Sequence, residues 1–312
     1  RRAYAQFLAF HAQIEAAFAQ VKAGLGAAPD HEGLLLQKAA LHQAVGEPAS
    51  AMACFKAILS EQPEHPLALN GMAFLGDNTK VIELQKTIAK VMRKPSVSHE
   101  TKVLLGFAQA KLAIRSGQSD APHVLTKANA AAAKIMPYDR AAGHAAQANL
   151  MAPFVNRSNM APPQTETPAP IFVVGLIRSG TTVMEQVLAQ HPTVTGLGEL
   201  SHARHLGAAQ ATAFRQDGTP PDGKQFADEY RLILPDLPKY TTHFVDKMPD
   251  NFKVIGYLLN AFPNATIVEM QRDPRDVALS MWADHFPTKA HSYANAMPAM
   301  AAHMNLYART ML

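Results

Sequence analysis

The segment Ile171-Phe172-Val173-Val174-Gly175-Leu176-Ile177-Arg178-Ser179-Gly180-Thr181-Thr182 decides how the chain is read. Its first five residues form a short apolar run of the kind that a parallel strand buries on both faces. From Gly180 to Gln190 helical spacing takes over, with Val183, Val187 and Leu188 expected on one side. A loop between a strand end and a helix start aims backbone N–H groups at one point, where the helix dipole favours negative charge. Gly180 permits close backbone approach, Ser179, Thr181 and Thr182 add hydroxyl donors, and Arg178 adds a planar cation able to bridge two anionic oxygens. A hydrogen bond to a charged group is worth about 1.5–3 kcal/mol, so a handful of them accounts for tight phosphate binding. A ligand-free polar turn is the plainer alternative, but it has no need of Arg, Ser and two Thr together.

The frame Gly175-x4-Gly180 is that of a nucleotide-triphosphate loop, yet Thr181 stands where such a loop has its lysine. The residue set therefore favours a donor with one 5′ phosphate group and little need for Mg²⁺. Downstream, His243-Phe244-Val245-Asp246 and the run from Ala265 to Met270 read as further strands. Helices are expected after them, near 250–262 and 274–286, and helix with loop over 207–240. Alternating strand and helix argues for a three-layer α/β domain with a parallel sheet over 171–312.

Upstream, the pattern is helix after helix. Segments near 3–25, 34–45, 48–61, 66–75, 79–93, 98–115, 121–135 and 140–152 carry apolar residues at three-to-four spacing, separated by breakers such as Gly46-Glu47-Pro48. Between Glu32 and Pro63, the positions of Leu35, Ala39, Gly46, Ala51, Phe55, Ile58 and Pro63 fall close to the spacing of a tetratricopeptide repeat of about 34 residues. Small Ala39 and Ala51 would let two helices approach, Phe55 would fill the gap to the next hairpin, and Pro63 would stop the second helix. The units near 66–95 and 98–136 are degenerate, and an irregular helical bundle is the competing description. We expect a TPR-like helical-repeat domain over 1–152 and a Pro-rich linker or strap over 153–170, because the prolines between Pro162 and Pro170 cannot hold a helix.

Apolar residues make up 48% of the chain and charged residues 17%, which excludes a disordered class. The net charge is +4, but residues 1–169 carry 17 Lys+Arg against 12 Asp+Glu, and 170–312 carry 12 against 13. The surplus lies away from the anion-binding loop, and without a dense basic stripe we expect no nucleic-acid partner. The single cysteine, Cys54, fits a reducing, cytoplasmic setting. Apolar runs long enough to span a membrane are lacking, as are signal-peptide parts in residues 1–25, so the chain reads as soluble. No closely spaced set of metal ligands is evident, and no metal is expected. Met297, Met300, Met304 and Met311 have helical spacing and are expected to pack a core.

Phe172 to Gly175 and Arg178 to Thr182, followed by Glu185-Gln186 and His191-Pro192, resemble the 5′-phosphosulfate loop of sulfotransferases. Three further pieces come in the family's order: Gly198-Glu199-Leu200, then Asp246 to Phe252, then Arg272-Asp273-Pro274-Arg275-Asp276-Val277-Ala278-Leu279-Ser280-Met281. The chain is most similar to the bacterial family that joins tetratricopeptide repeats to a sulfotransferase domain, and the tyrosylprotein sulfotransferases are similar across the same segments. One departure is Ile177, where the family usually has proline.

The resemblance implies a P-loop-type α/β sulfotransferase domain that takes 3′-phosphoadenosine-5′-phosphosulfate as co-substrate. Arg178, Ser179, Gly180, Thr181 and Thr182 would hold its 5′ side. Arg272 and Ser280 match the 3′-phosphate ligands, with Arg275 as a helper. Glu199 matches the general base, and Lys247 the lysine that stabilises charge on the leaving phosphate. His202 and His205 are substitutes for the base, because other sulfotransferases use histidine. Plainer readings are a capping or salt-bridged Glu199, Lys247 paired with Asp246 on a surface loop, and an ion-pair network of Arg272 with Asp273 and Asp276. The acceptor is a hydroxyl of a peptide, a sugar or a small phenol, with protein tyrosine among the options and a protein or peptide partner expected at the repeats. The chain starts at Arg1 and stops at Leu312 inside an apparent helix, whereas family members continue. A domain incomplete at its C-terminus, with weakened or absent activity, is therefore expected. A kinase-like phosphotransferase and a non-catalytic repeat scaffold are the competing functions.

Overall fold

Ala, Leu, Lys and Gln lose little freedom in a helix, and breakers recur at short intervals, so the N-terminal region folds as a run of helices. The computed structural model describes residues 1–10, 13–76, 80–155 and 167–312. Most of the expected linker, over 156–166, lies outside them. The described chain forms two compact units, Arg1–Tyr138 with Trp282–Ala296, and Asp139–Met281 with Met297–Leu312.

The first unit contains α1 (Arg2–Phe10), α2 (Ile14–Ala27), α3 (Glu32–Ala44), α4 (Pro48–Glu61), α5 (Pro66–Leu75), α6 (Val81–Met92), α7 (His99–Arg115) and α8 (Ala121–Ile135). The single helix expected over 3–25 is instead two, because Ala5 and Leu8 of α1 bury together with Ala17 and Val21 of α2 against Leu41. One straight helix could not bring these patches together. His31 and His65 cap α3 and α5, their ring nitrogens accepting from the Leu34 and Ala68 N–H groups at 3.3 and 3.2 Å. Ala39 and Ala51 are fully buried between α3 and α4, and Gly71 leaves room on α5 for the Phe55 ring, with which any Cβ there would collide. The segment Trp282–Ala296 packs on this unit: Asn129 Nδ2 donates to the Trp282 carbonyl at 2.9 Å, and His285 lies against Phe107.

The second unit contains α9 (Arg140–Met151), β1 (Ala169–Gly175), α10 (Thr181–Leu188), β2 (Val194–Gly196), α11 (His202–Asp217), α12 (Gly223–Leu232), β3 (His243–Asp246), α13 (Ile255–Ala261), β4 (Thr266–Met270), α14 (Pro274–Trp282) and α15 (Met297–Met311). The helix expected near 250–262 opens as a 3₁₀ stretch, Pro249–Val254, and the one near 274–286 stops at Trp282. The strands form one parallel sheet in the order β2-β3-β1-β4, with Ile171 opposite Val245 and Thr266. β1 is central and buried on both faces, as its uninterrupted apolar run requires. On one face Ile171, Val173 and Val245 meet Met184 and Leu188 of α10. On the other, Phe172 packs edge-on to Tyr230 of α12 and beside Phe262. Of the three residues expected on one side of α10, Leu188 packs here beside Met184, whereas Val183 and Val187 are exposed. Met300 is buried as expected, but Met304 and Met311 line a cavity and Met297 is half exposed. Among the described residues no helix is long and apolar enough to cross a membrane.

Candidate active site

In a parallel sheet all carboxyl ends lie at one edge, where ligands bind. Here β1 leads into the loop 176–180, β2 into Glu199, β3 into Lys247 and β4 into Arg272.

The loop after β1 is tightly specified. A Cβ at Gly175 would come within 2.8 Å of Ser179 Oγ and 3.0 Å of the Met270 carbonyl. Gly180, at φ 104°, takes the left-handed conformation that opens α10. Arg178 has φ 71°, the one positive value among the described non-glycine residues. Such a conformation costs about 1–3 kcal/mol and is characteristic of sites where geometry is held for function. Its Nε donates to Ser280 Oγ of α14 at 3.0 Å, so residues 102 positions apart meet. The first-turn N–H groups of Thr181 and Thr182 have no intrahelical acceptor. Ser179 is 6% exposed, and its hydroxyl oxygen is buried without a hydrogen-bond partner. That orphan, the close-approach glycine and the adjacent arginine fit an anionic donor group. Ser179 and Arg272 both line a cavity of about 450 Å³, walled by Leu176, Val277, Met304 and Tyr307.

Arg272 lies 3.5 Å from Asp276, and Arg275 forms a two-pronged pair with Asp273, at 2.8 Å for the closer prong. All four side chains are solvent-accessible, and exposed pairs of this kind contribute little stability.

Glu199 and Lys247 come together directly, Nζ donating to Oε1 at 2.7 Å. Lys247 has an 8% exposed side chain and Glu199 a 54% exposed one, so the cation is fixed while the carboxylate faces solvent. Lys247 does not pair with Asp246, because successive residues of a strand point to opposite faces. Asp246 is fully buried on the other side, where its Oδ2 accepts from Tyr230 Oη and Asn251 Nδ2, each at 2.8 Å, and its Oδ1 from the Leu200 N–H at 3.3 Å. The chain around Glu199 extends the β2–β3 pairing: the Leu197 N–H donates to the Val245 carbonyl at 2.9 Å, and the Lys247 N–H to the Gly198 carbonyl at 2.8 Å. Glu185 of α10 adds an acceptor for the Gly198 N–H at 2.6 Å. Burial pushes its carboxyl up, against that bond and the Lys247 charge, which pull it down, while the Glu199 charge adds to the rise. His202 and His205 stand in the first turn of α11. Among the described residues no cluster of three or more His, Cys, Asp or Glu could hold a metal ion.

Asp246 and Glu185 are the supports that the sequence reading did not select. Both lie inside quoted motifs, but only the fold shows that Asp246 is buried, that Glu185 is partly so, and that both hold the Glu199 loop. Burial pushes the Asp246 carboxyl up to about 7, against the pull of its bonds from Tyr230, Leu200 and Asn251, with the Glu185 charge adding to the rise. Between its ordinary value of 3.8 and about 7, the folded state binds more protons than the unfolded one. Stability from this group therefore falls as pH rises through that window and is level above it. In paired melting curves, the advantage of the wild type over Asp246→Asn is expected to shrink steadily from about pH 4 to pH 7. A pH-independent difference would refute this assignment.

The sequence model of the sulfotransferase family matches residues 170–312. An uncharacterized protein of Aquifex aeolicus is 26% identical over 277 residues, covering 84% of this chain and 36% of its own length. The nodulation protein NoeE of Sinorhizobium fredii is 30% identical over 135 residues, covering 37% of this chain and 32% of its own length. The chain thus spans about a third of the length of the curated relatives it matches. No solved structure gives a significant match. The C-terminal half carries a sulfotransferase-family domain, beginning within β1.

Proposed function

We propose that this chain transfers a sulfuryl group from 3′-phosphoadenosine-5′-phosphosulfate to an acceptor hydroxyl, with Glu199 as general base. The observation that carries the reading is the convergence of an anion loop, a Lys–Glu pair and a second arginine on one sheet edge, with Arg178 bonded to Ser280. The bound donor supplies the electrophilic sulfur. Arg178, Ser179, Thr181, Thr182 and the first-turn N–H groups hold its 5′ side, Arg272 and Ser280 hold the 3′-phosphate, and the Arg178–Ser280 bond joins the two ends. Glu199 takes the proton of the acceptor hydroxyl as its oxygen bonds to sulfur. The electron pair of the breaking S–O bond stays on the leaving phosphate, whose charge Lys247 offsets.

The acceptor belongs to a peptide, a sugar or a small phenol, and a peptide tyrosine suits a helical unit of repeat type best. Supporting that type, the capping residues His31 and His65 of α3 and α5 are 34 positions apart, one tetratricopeptide period. Such a unit would receive a protein or peptide partner.

Calorimetric titration tests the donor class. Binding of 3′,5′-adenosine bisphosphate without metal, in preference to ATP with Mg²⁺, is the expected result. Preference for Mg-ATP would move the chain to phosphoryl transfer.

A further inference from the structure

Glu199 lies in a turn whose geometry is set from outside the turn. Gly198 has φ 70°, a left-handed conformation, and its N–H is taken by Glu185 Oε1 at 2.6 Å, a short bond of the charge-assisted kind. β2 is shaped to admit that carboxylate: a Cβ at Gly196 would stand 3.1 Å from the same oxygen. Glu185 belongs to α10, one turn past Thr181, so the helix that starts at the anion loop also carries this acceptor. A partly buried carboxylate beside Glu199 is otherwise a liability, since like charges and lost hydration both work against it.

We infer that Glu185 is a positioning residue: by accepting the Gly198 N–H it fixes the turn that brings Glu199 onto Lys247, and it ties that turn to the helix of the anion loop. The inference rests on the sulfotransferase reading for the role of Glu199, but its geometric half does not.

The test compares Glu185→Ala with Glu185→Gln in the full chain. The Gln amide oxygen can accept the same N–H, whereas Ala cannot. Three quantities are read: amide hydrogen exchange at Gly198, affinity for 3′,5′-adenosine bisphosphate, and the turnover number for sulfuryl transfer to a phenol. In Glu185→Ala, exchange at Gly198 is expected to accelerate and turnover to fall, each about 10- to 100-fold, as for loss of one hydrogen bond to a charged group. Bisphosphate affinity should stay within about threefold, and Glu185→Gln should recover most of both losses. Gly196→Ala, which keeps the carboxylate but crowds it, should shift both in the same direction by less, and serves if Glu185→Ala fails to fold. Unchanged Gly198 exchange in Glu185→Ala, or a Gln variant as impaired as Ala, would overturn the inference. Failure of the wild type to bind the bisphosphate would instead strike the functional reading, while the exchange data still report on the clamp.

Discussion

Glu199→Gln is expected to lower the rate of sulfuryl transfer by about 10²–10⁴-fold, the usual contribution of a positioned base. The exchange is isosteric, and the amide oxygen still accepts from Lys247 Nζ, which now donates to Oε1 at 2.7 Å. The buried lysine keeps a partner and the fold is undisturbed. Glu199→Ala would be a poorer test, because it strips the partner from a cation with an 8% exposed side chain and mixes instability with lost chemistry. Bisphosphate affinity should stay within about twofold, since the base serves the acceptor and not the donor. Steady-state rates with a phenolic acceptor decide the matter. A loss of less than about tenfold would move the base to His202 or His205.

Arg178→Ala is expected to weaken 3′,5′-adenosine bisphosphate binding by about 10²–10⁴-fold, the value of two charge-assisted hydrogen bonds at about 1.5–3 kcal/mol each. Arg178 holds Ser280 Oγ at 3.0 Å, joining the loop after β1 to the helix after β4. It also keeps a left-handed backbone at φ 71°. Arg178→Gly separates the two contributions, because glycine adopts that conformation freely and brings no guanidinium. Equal losses in both variants, measured by calorimetry, would assign the effect to the side chain. Full retention of affinity in either would remove Arg178 from the donor site.

Much of this was legible in the residues themselves. The run Ile171–Gly175, the glycine at 180 and the hydroxyl and guanidinium donors between them are neighbours in sequence, so their joint geometry follows from local backbone rules. Helix placement in the N-terminal region was legible for the same reason, except over 3–25, where two helices stand in place of the expected one. The face that α10 turns to the sheet was not: Val183 with Val187, and Met184 with Leu188, are two apolar stripes four residues apart, and periodicity ranks them equally. The sheet chose the second pair. β2, only Val194–Gly196, is too short to show a pattern and exists through its pairing with β3.

Local sequence is enough to specify the strand–loop–helix segment over 171–190, the helical character of the N-terminal region, and the types of residue available for acid–base and electrostatic work, because each depends on groups within a turn or two of one another. Long-range packing, by contrast, turns Lys247 to Glu199 and Asp246 inward to Tyr230, brings Arg178 to Ser280, and seats Gly198 on Glu185. Those contacts join residues 13 to 102 positions apart, and parallel strand pairing, which no local preference specifies, brings them to one edge of the sheet.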